Sequence, residues 1–387
     1  MARTLDKVTI EGFKSIRKLD DFKLSKLNVL IGANGAGKSN FVSFFRLLRE
    51  LIEQRLQLAV AVEGGADACL FLGPKETTRL RAKLHFDCNG YEFSLVPSQT
   101  DQLIFESEKA VFQGDSGERP IALGSGHIEA KLKDRKDSPG IGGAKRGVPH
   151  YVFDAISSWV VYHFHDTSFS AGVRRPQALN DNLALRPSAE NLAPFLHRLN
   201  QTNHDHYLRI RDAVRLAAPF FDDFLLRPIP GNEEKVQLEW RQRDSDYPFR
   251  ASQLSDGTLR FICMATALLQ PCPPSIMLFD EPELGLHPYA LTLLGNLFQK
   301  ATKQYFGPQI IVSTQSALLL NEFEPNDVIV VERAGSESTF RRLSSEHLSE
   351  WLQDYTLGEL WQKNLLGGRP GGEYVSLSAP NGDQSRS

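Results

Sequence analysis

Gly32-Ala33-Asn34-Gly35-Ala36-Gly37-Lys38-Ser39 restricts what this chain can become more than any other stretch. It satisfies GxxxxGK[ST] in full, a pattern with mechanical meaning only between a strand and a helix. Both flanks read that way. Leu27-Asn28-Val29-Leu30-Ile31 is a short β-rich run, and residues 40–57 carry Phe41, Phe44, Phe45, Leu48, Leu51 and Ile52 on one broad helical face. The glycines let successive backbone N–H groups turn inward around phosphate oxygens, and the helix N-terminus adds its positive dipole end. Asn34, Gly35, Ala36, Gly37, Lys38, Ser39 and Asn40 are therefore candidate nucleotide-binding residues. The pattern assigns Lys38 to the β- and γ-phosphates and the Ser39 hydroxyl to Mg²⁺.

Such a loop stands on a parallel sheet, and the last third of the chain supplies the matching alternation. Residues 275–279, 309–312 and 327–331 read as strands and 290–305 as a helix, so α/β layering is expected. Nearer the N-terminus, residues 8–10 read as a strand, 62–75 as a loop and 78–112 as an antiparallel meander turning at Asn89-Gly90. Residues 113–149 are polar and glycine-rich, and exposed loops or partial disorder are expected there. Residues 156–164 are β-like, 188–199 and 207–218 helical, and 236–241 alternate again. Beyond Gly367 the Gly-, Pro- and Ser-rich tail is expected to be disordered. The chain thus divides into 1–112 with the phosphate loop and a β lobe, an insertion over 113–245, a second nucleotide-binding part over 246–366, and the tail 367–387.

Composition narrows the setting. With 41% hydrophobic and 24% charged residues among 387, the chain has the balance of a protein with a sizeable core. A net charge of −3 argues against coating nucleic acid through bulk positive charge. Cys69, Cys88, Cys263 and Cys272 are scattered without a CxxC pair, so neither a zinc ribbon nor a disulfide framework is expected. There is no apolar run of about 18 residues, and the first 13 lack the apolar core of a signal peptide. A cytoplasmic protein without a membrane partner is the expectation.

Two further segments carry chemistry. Ile276-Met277-Leu278-Phe279 ends in Asp280-Glu281, and an Asp at the end of such a strand holds Mg²⁺ in phosphate-loop proteins. The adjacent Glu281 is placed to orient an attacking water. Leu254-Ser255-Asp256-Gly257-Thr258 opens a helical stretch, with Ser255 as N-cap and Gly257 allowing backbone amides to approach an anion.

Together these elements resemble an ABC-type ATPase head. Leu254 to Thr258 looks like a variant of the LSGGQ signature, Asp280 to Pro288 like the Walker B and D-loop run, and Ile311 to Ser316 sits where the switch-histidine loop belongs. Gly12-Phe13-Lys14-Ser15-Ile16 with Gly37-Lys38-Ser39-Asn40 is similar to the RecF/SMC-like branch, and within it to stand-alone bacterial AAA/ABC ATPases. Tyr162 to Ser168, Leu357 to Trp361 and Gly367 to Pro370 fit that pattern more weakly. The resemblance implies a nucleotide-binding α/β core built from both chain ends, with an antiparallel or mixed β lobe and a helical insertion lobe. It implies a Mg²⁺-dependent ATPase with Mg²⁺ on Ser39 and Asp280. ATP would sit between two heads, with Lys38 and Glu281 from one and Ser255 and Gly257 from the other, so that ATP makes a homodimer. Lys14 and Ser15 would approach the base or ribose. Gln315 stands at the switch-histidine position, where an amide can hydrogen-bond phosphate but cannot titrate, so slow hydrolysis is expected. The head would act as a switch for a DNA-related or antiviral activity carried by a separate, nuclease-like partner. The alternatives are a DNA-repair ATPase binding DNA through its middle lobe, and a degenerate head serving as a scaffold.

Other clusters stay open at this level. His163 and His165 fall on one strand face beside Asp166, as a metal site or as ordinary hydrogen-bonded structure would. His204-Asp205-His206 reads as a solvated loop. Arg174-Arg175 and residues 131–136 are basic clusters suited to a nucleic-acid backbone or to a solvated surface.

Overall fold

Leu27–Ile31 is buried at all five positions because it runs inside a sheet covered on both faces. The computed structural model describes residues 4–114, 117–140, 145–304 and 307–368. In it, six strands lie in the order Glu337–Arg342, Val328–Ala334, Leu27–Ile31, Gln309–Ser313, Ile276–Asp280, Val160–Tyr162. Neighbours are parallel except at the Glu337–Arg342 edge, which pairs antiparallel. The phosphate-loop strand is thus sandwiched between two strands from the far end of the chain.

Side-chain alternation divides the apolar residues of these strands between two cores. Leu30, Ile276, Leu278, Ile311, Ile329 and Val331 face the helix Lys38–Ile52 and the β lobe. Val29, Ile31, Met277, Phe279, Ile310 and Val312 face the helices Leu192–Thr202, His204–Ala217, Asp256–Leu269 and Pro288–Lys303. Two three-stranded sheets complete that second side, one of them formed by Phe221–Leu225, Glu239–Gln242 and Pro248–Arg250. No helix among the described residues is long and apolar enough to cross a membrane.

The β lobe is a six-stranded antiparallel sheet ordered Ile16–Lys23, Lys7–Phe13, Leu80–Phe86, Asn89–Pro97, Leu103–Gly114, Gly117–Gly124. Several sequence expectations are corrected here. Residues 113–149 are not all loop: Gly117–Gly124 pairs with Leu103–Gly114, and its polar residues are tolerated because an edge strand leaves them in solvent. Val148–Ser157 is a helix burying Val148, Val152, Phe153 and Ile156, so the β-like run over 156–164 shrinks to Val160–Tyr162. Residues 62–75 include the short helix Ala66–Cys69, and His204 opens a helix. The expected disordered tail lies, beyond Gly368, outside the described residues.

One buried carboxylate organises the lobe. Glu108 is fully buried on Leu103–Gly114, and its side chain accepts from Tyr91 Oη (2.7 Å), Lys131 N (2.9 Å) and Leu132 N (3.1 Å), with His127 Nε2 at 2.8 Å. It therefore pins the segment after the last hairpin to the sheet. Removing it strands several buried donors, and such a loss costs about 3 kcal/mol. Glu108→Ala is expected to lower the urea midpoint by that amount at unchanged m-value, and Glu108→Gln, which keeps one acceptor oxygen, to cost less.

Candidate nucleotide site

The site forms where three parallel strands end level with one another. Thr314 N donates to Leu30 O at 3.0 Å, Glu281 N donates to Ser313 O at 2.8 Å, and Asp280 is registered opposite Ser313. The phosphate loop leaves Ile31 at that edge and enters Lys38–Ile52, whose first turn has neither a side-chain cap nor an acidic residue. That helix start keeps its positive end free for an anion. Asn34, Gly35 and Ser39 are exposed at the lip, whereas Lys38 is only 5% exposed. Lys38 Nζ donates to Gly32 O (2.7 Å) and Ala33 O (3.1 Å). Burial pulls its pKa below the usual lysine value, and the charges of Glu281, Asp280 and Glu283 work against that shift.

Alternation turns Asp280 to the same side as Ile276 and Leu278, towards the Lys38 helix. Its Oδ1 is buried without a partner, as is Ser313 Oγ beside it in register. A buried, unpartnered carboxylate oxygen is costly unless a cation or donor meets it. With the Ser39 hydroxyl at the helix start, these oxygens fit a hard divalent cation such as Mg²⁺. Glu281 adopts the left-handed region at φ 46°, which ends the strand alternation. Gln315 Nε2 then donates to Glu281 Oε1. Gln315 N donates to Glu283 Oε1 at 2.6 Å. Burial holds the Glu283 carboxyl above the usual glutamate range.

Behind the loop lies a polar strut that sequence reading missed. Ser338, from the antiparallel edge strand, donates to Ala36 O (2.6 Å) and lies 2.7 Å from Ser15 Oγ, to which Asn40 Nδ2 also donates at 2.7 Å. Gly37 has φ 114°, and a Cβ there would stand 2.0 Å from Ser338 Oγ. Ser15 is thus engaged under the loop. Lys14 is ion-paired with Glu63 (2.6 Å) and donates to Ser43 Oγ (3.1 Å). Both of these residues, expected near base or ribose, have their polar atoms occupied within the chain. Nothing in the sequence near Ser338 signalled this role.

Ser255 caps Asp256–Leu269, accepting from Thr258 N at 3.1 Å, and is exposed. Gly257 lies against the loop after Glu281, where a Cβ would sit 2.1 Å from Gly285 O. Lys38, Asp280, Glu281, Glu283 and Gln315 are therefore gathered together, and Ser255 and Gly257 stand at the far end of that loop. Two arginines hold them there. Arg174, buried, donates to Thr167 O (2.8 Å), Ala251 O and Asp256 Oδ1 (2.8 Å). Arg260 donates to Phe164 O (3.1 Å), His165 O (2.9 Å) and Leu284 O (2.9 Å).

Arg174 is accordingly no cationic surface for nucleic acid. In residues 131–136, Lys133 pairs with Glu53 at 2.7 Å and Lys136 lies over the Phe153 ring. No cluster of three His, Cys, Asp or Glu among the described residues is arranged for a metal, and Asp166 is turned to Ser168 N.

Comparison with known proteins bears on this geometry. The family model described as "AAA domain, putative AbiEii toxin, Type IV TA system" matches residues 27–321. An SMC head solved bound to the C-winged helix domain of ScpA overlays with a TM-score of 0.58 at 14% identity, covering 89% of this chain and 99% of that one. A Pyrococcus furiosus Smc head with an extended coiled coil, bound to the C-terminal domain of ScpA, gives 0.51 at 14% identity, covering 90% and 98%. These likenesses are of fold. No curated protein is matched by sequence.

Two outcomes are expected. Gly37→Ala adds strain of about 1–3 kcal/mol and a collision with Ser338, so a fluorescent-nucleotide titration should show binding at least about tenfold weaker. Glu283 keeps its proton to higher pH in the folded than in the unfolded chain. Its contribution is then most favourable at acid pH and declines as pH rises from the ordinary glutamate value through the raised folded one. Glu283→Gln removes that decline, so melting curves without nucleotide should show the variant gaining on wild type between pH 4 and 8.

Proposed function

Because this chain belongs to that AAA-domain family and has the fold of an SMC/RecF-like P-loop ATPase head, we propose that it binds and hydrolyses ATP with Mg²⁺ and that the bound nucleotide joins two heads. One observation carries the reading. Buried Lys38 feels the charges of Asp280 and Glu281 beside an uncapped helix N-terminus, with Asp280 Oδ1 unpartnered. In this reading the loop amides and Lys38 bind the phosphates, and Ser39 with Asp280 holds Mg²⁺, which when bound offsets phosphate charge. Glu281 orients the attacking water and takes its proton. Gln315 steadies Glu281 without titrating, and turnover is correspondingly slow.

Ser255 and Gly257 are proposed to complete the partner head's site. Their support is the exposed start of Asp256–Leu269, beside exposed Leu284, whose carbonyl accepts from Arg260. An exposed apolar side chain beside a polar site suits a protein interface. The joined heads act as a switch on a separate effector in a DNA-related or antiviral activity. A precedent for a separate partner is that the SMC heads above are bound to domains of another protein, ScpA.

Light-scattering mass with and without Mg·ATP, alongside phosphate release, tests this. Wild type should double in mass with ATP, Lys38→Ala should remain monomeric, and Glu281→Gln should stay dimeric with turnover reduced about 10²–10⁴-fold. Unchanged mass with ordinary turnover would overturn the two-head site.

A further inference from the structure

A neutral residue at position 315 poses a positioning problem. A charged imidazole would be drawn to Glu281 by Coulomb attraction, whereas an amide brings one hydrogen bond of about 1 kcal/mol net. Such a group is useful only when its backbone is already held. Glu281 is gripped from one strand end: its N–H is bound to Ser313 O at 2.8 Å, and its carboxylate to Gln315 Nε2. Strand pairing holds that end as far as Thr314, whose N–H donates to Leu30 O at 3.0 Å; beyond it, Gln315 is held by Glu283. Its Oε1 accepts from Gln315 N at 2.6 Å. Its other oxygen, Oε2, is buried with no partner.

We infer that Glu283 is a positioning residue, locking the backbone at Gln315, one residue past the sheet-held Thr314, so that the Gln315 amide holds Glu281 in its working orientation. The carboxylate is desolvated there, an arrangement unfavourable for folding alone. A solvated side chain would serve the turn 281–284 equally well. The chain of action runs from Glu283 through the Gln315 backbone to the Gln315 side chain and on to Glu281. The inference rests on the ATPase reading for its consequence, but the lock itself is independent of nucleotide.

Two readouts test it on the full chain. Hydrogen exchange without nucleotide should show the Gln315 amide protected in wild type and in Glu283→Gln, which keeps a carbonyl acceptor, and unprotected in Glu283→Ala. Steady-state phosphate release should fall about 10²-fold in kcat for Glu283→Ala, with KM for ATP little changed because Lys38 and its loop are untouched. Gln315→Ala should show a similar fall, and the double variant should be no worse than either single one. Glu283→Leu, which fills the volume without an acceptor, stands in should the alanine variant not fold. Retained protection and wild-type kcat in Glu283→Ala, or a loss in Glu283→Gln as large as in Glu283→Ala, would overturn the lock. Should the wild type release no phosphate, the ATPase reading fails by itself, and exchange at Gln315 still decides whether Glu283 holds the loop.

Discussion

The parallel ladder that seats Leu27–Ile31 between Gln309–Ser313 and Val328–Ala334 is the constraint on which the rest depends. Register in a parallel pair is set by backbone hydrogen bonds and by which side chains each face must bury. Here it brings Gly32, Thr314 and Glu281 to one edge, although they come from opposite ends of the chain. A slip of one residue in Ile276–Asp280 would turn Asp280 away from the Lys38 helix and drive Met277 and Phe279 into the wrong core. The same burial that stabilises the sheet thus aims the carboxylate.

On that edge, electrostatics are unusually concentrated. One buried lysine faces three carboxylates, and oxygens of Asp280, Glu283 and Ser313 are left without partners. A structure gains nothing from such unpaired groups by themselves. The Asp280 and Ser313 oxygens lie beside the Ser39 helix start, a donor set suited to a hard cation, while the other Glu283 oxygen is the one bound to Gln315 N.

The signature segment belongs to the same economy of contacts. Arg174 and Arg260 use their guanidinium donors mostly on backbone carbonyls, tying residues 251–254, the loop at 164–165 and Leu284 together. Asp256, which departs from the usual glycine of the signature, is the one side chain among these acceptors and pairs with Arg174 at 2.8 Å. The departure is therefore matched inside the chain.

Local chemistry was legible from residues alone. Glycine spacing with Lys38-Ser39 announced the phosphate loop, the apolar run into Asp280-Glu281 announced the acidic strand, and 3.6-residue periodicity announced the major helices. Residues 113–149 read as loop because the edge strand Gly117–Gly124 leaves nearly all its side chains in solvent and so shows no apolar alternation. Ser338, Arg174, Arg260 and Glu283 were illegible for another reason. A serine, two arginines and a glutamate have no pattern of their own, and each acquires its role from a partner between 24 and 323 residues away. The sequence by itself determined which nucleotide chemistry the chain can hold, since that depends on residue types at fixed short spacing. Tertiary structure alone decided how it is held, because strand register and burial choose which polar groups meet and which are left waiting.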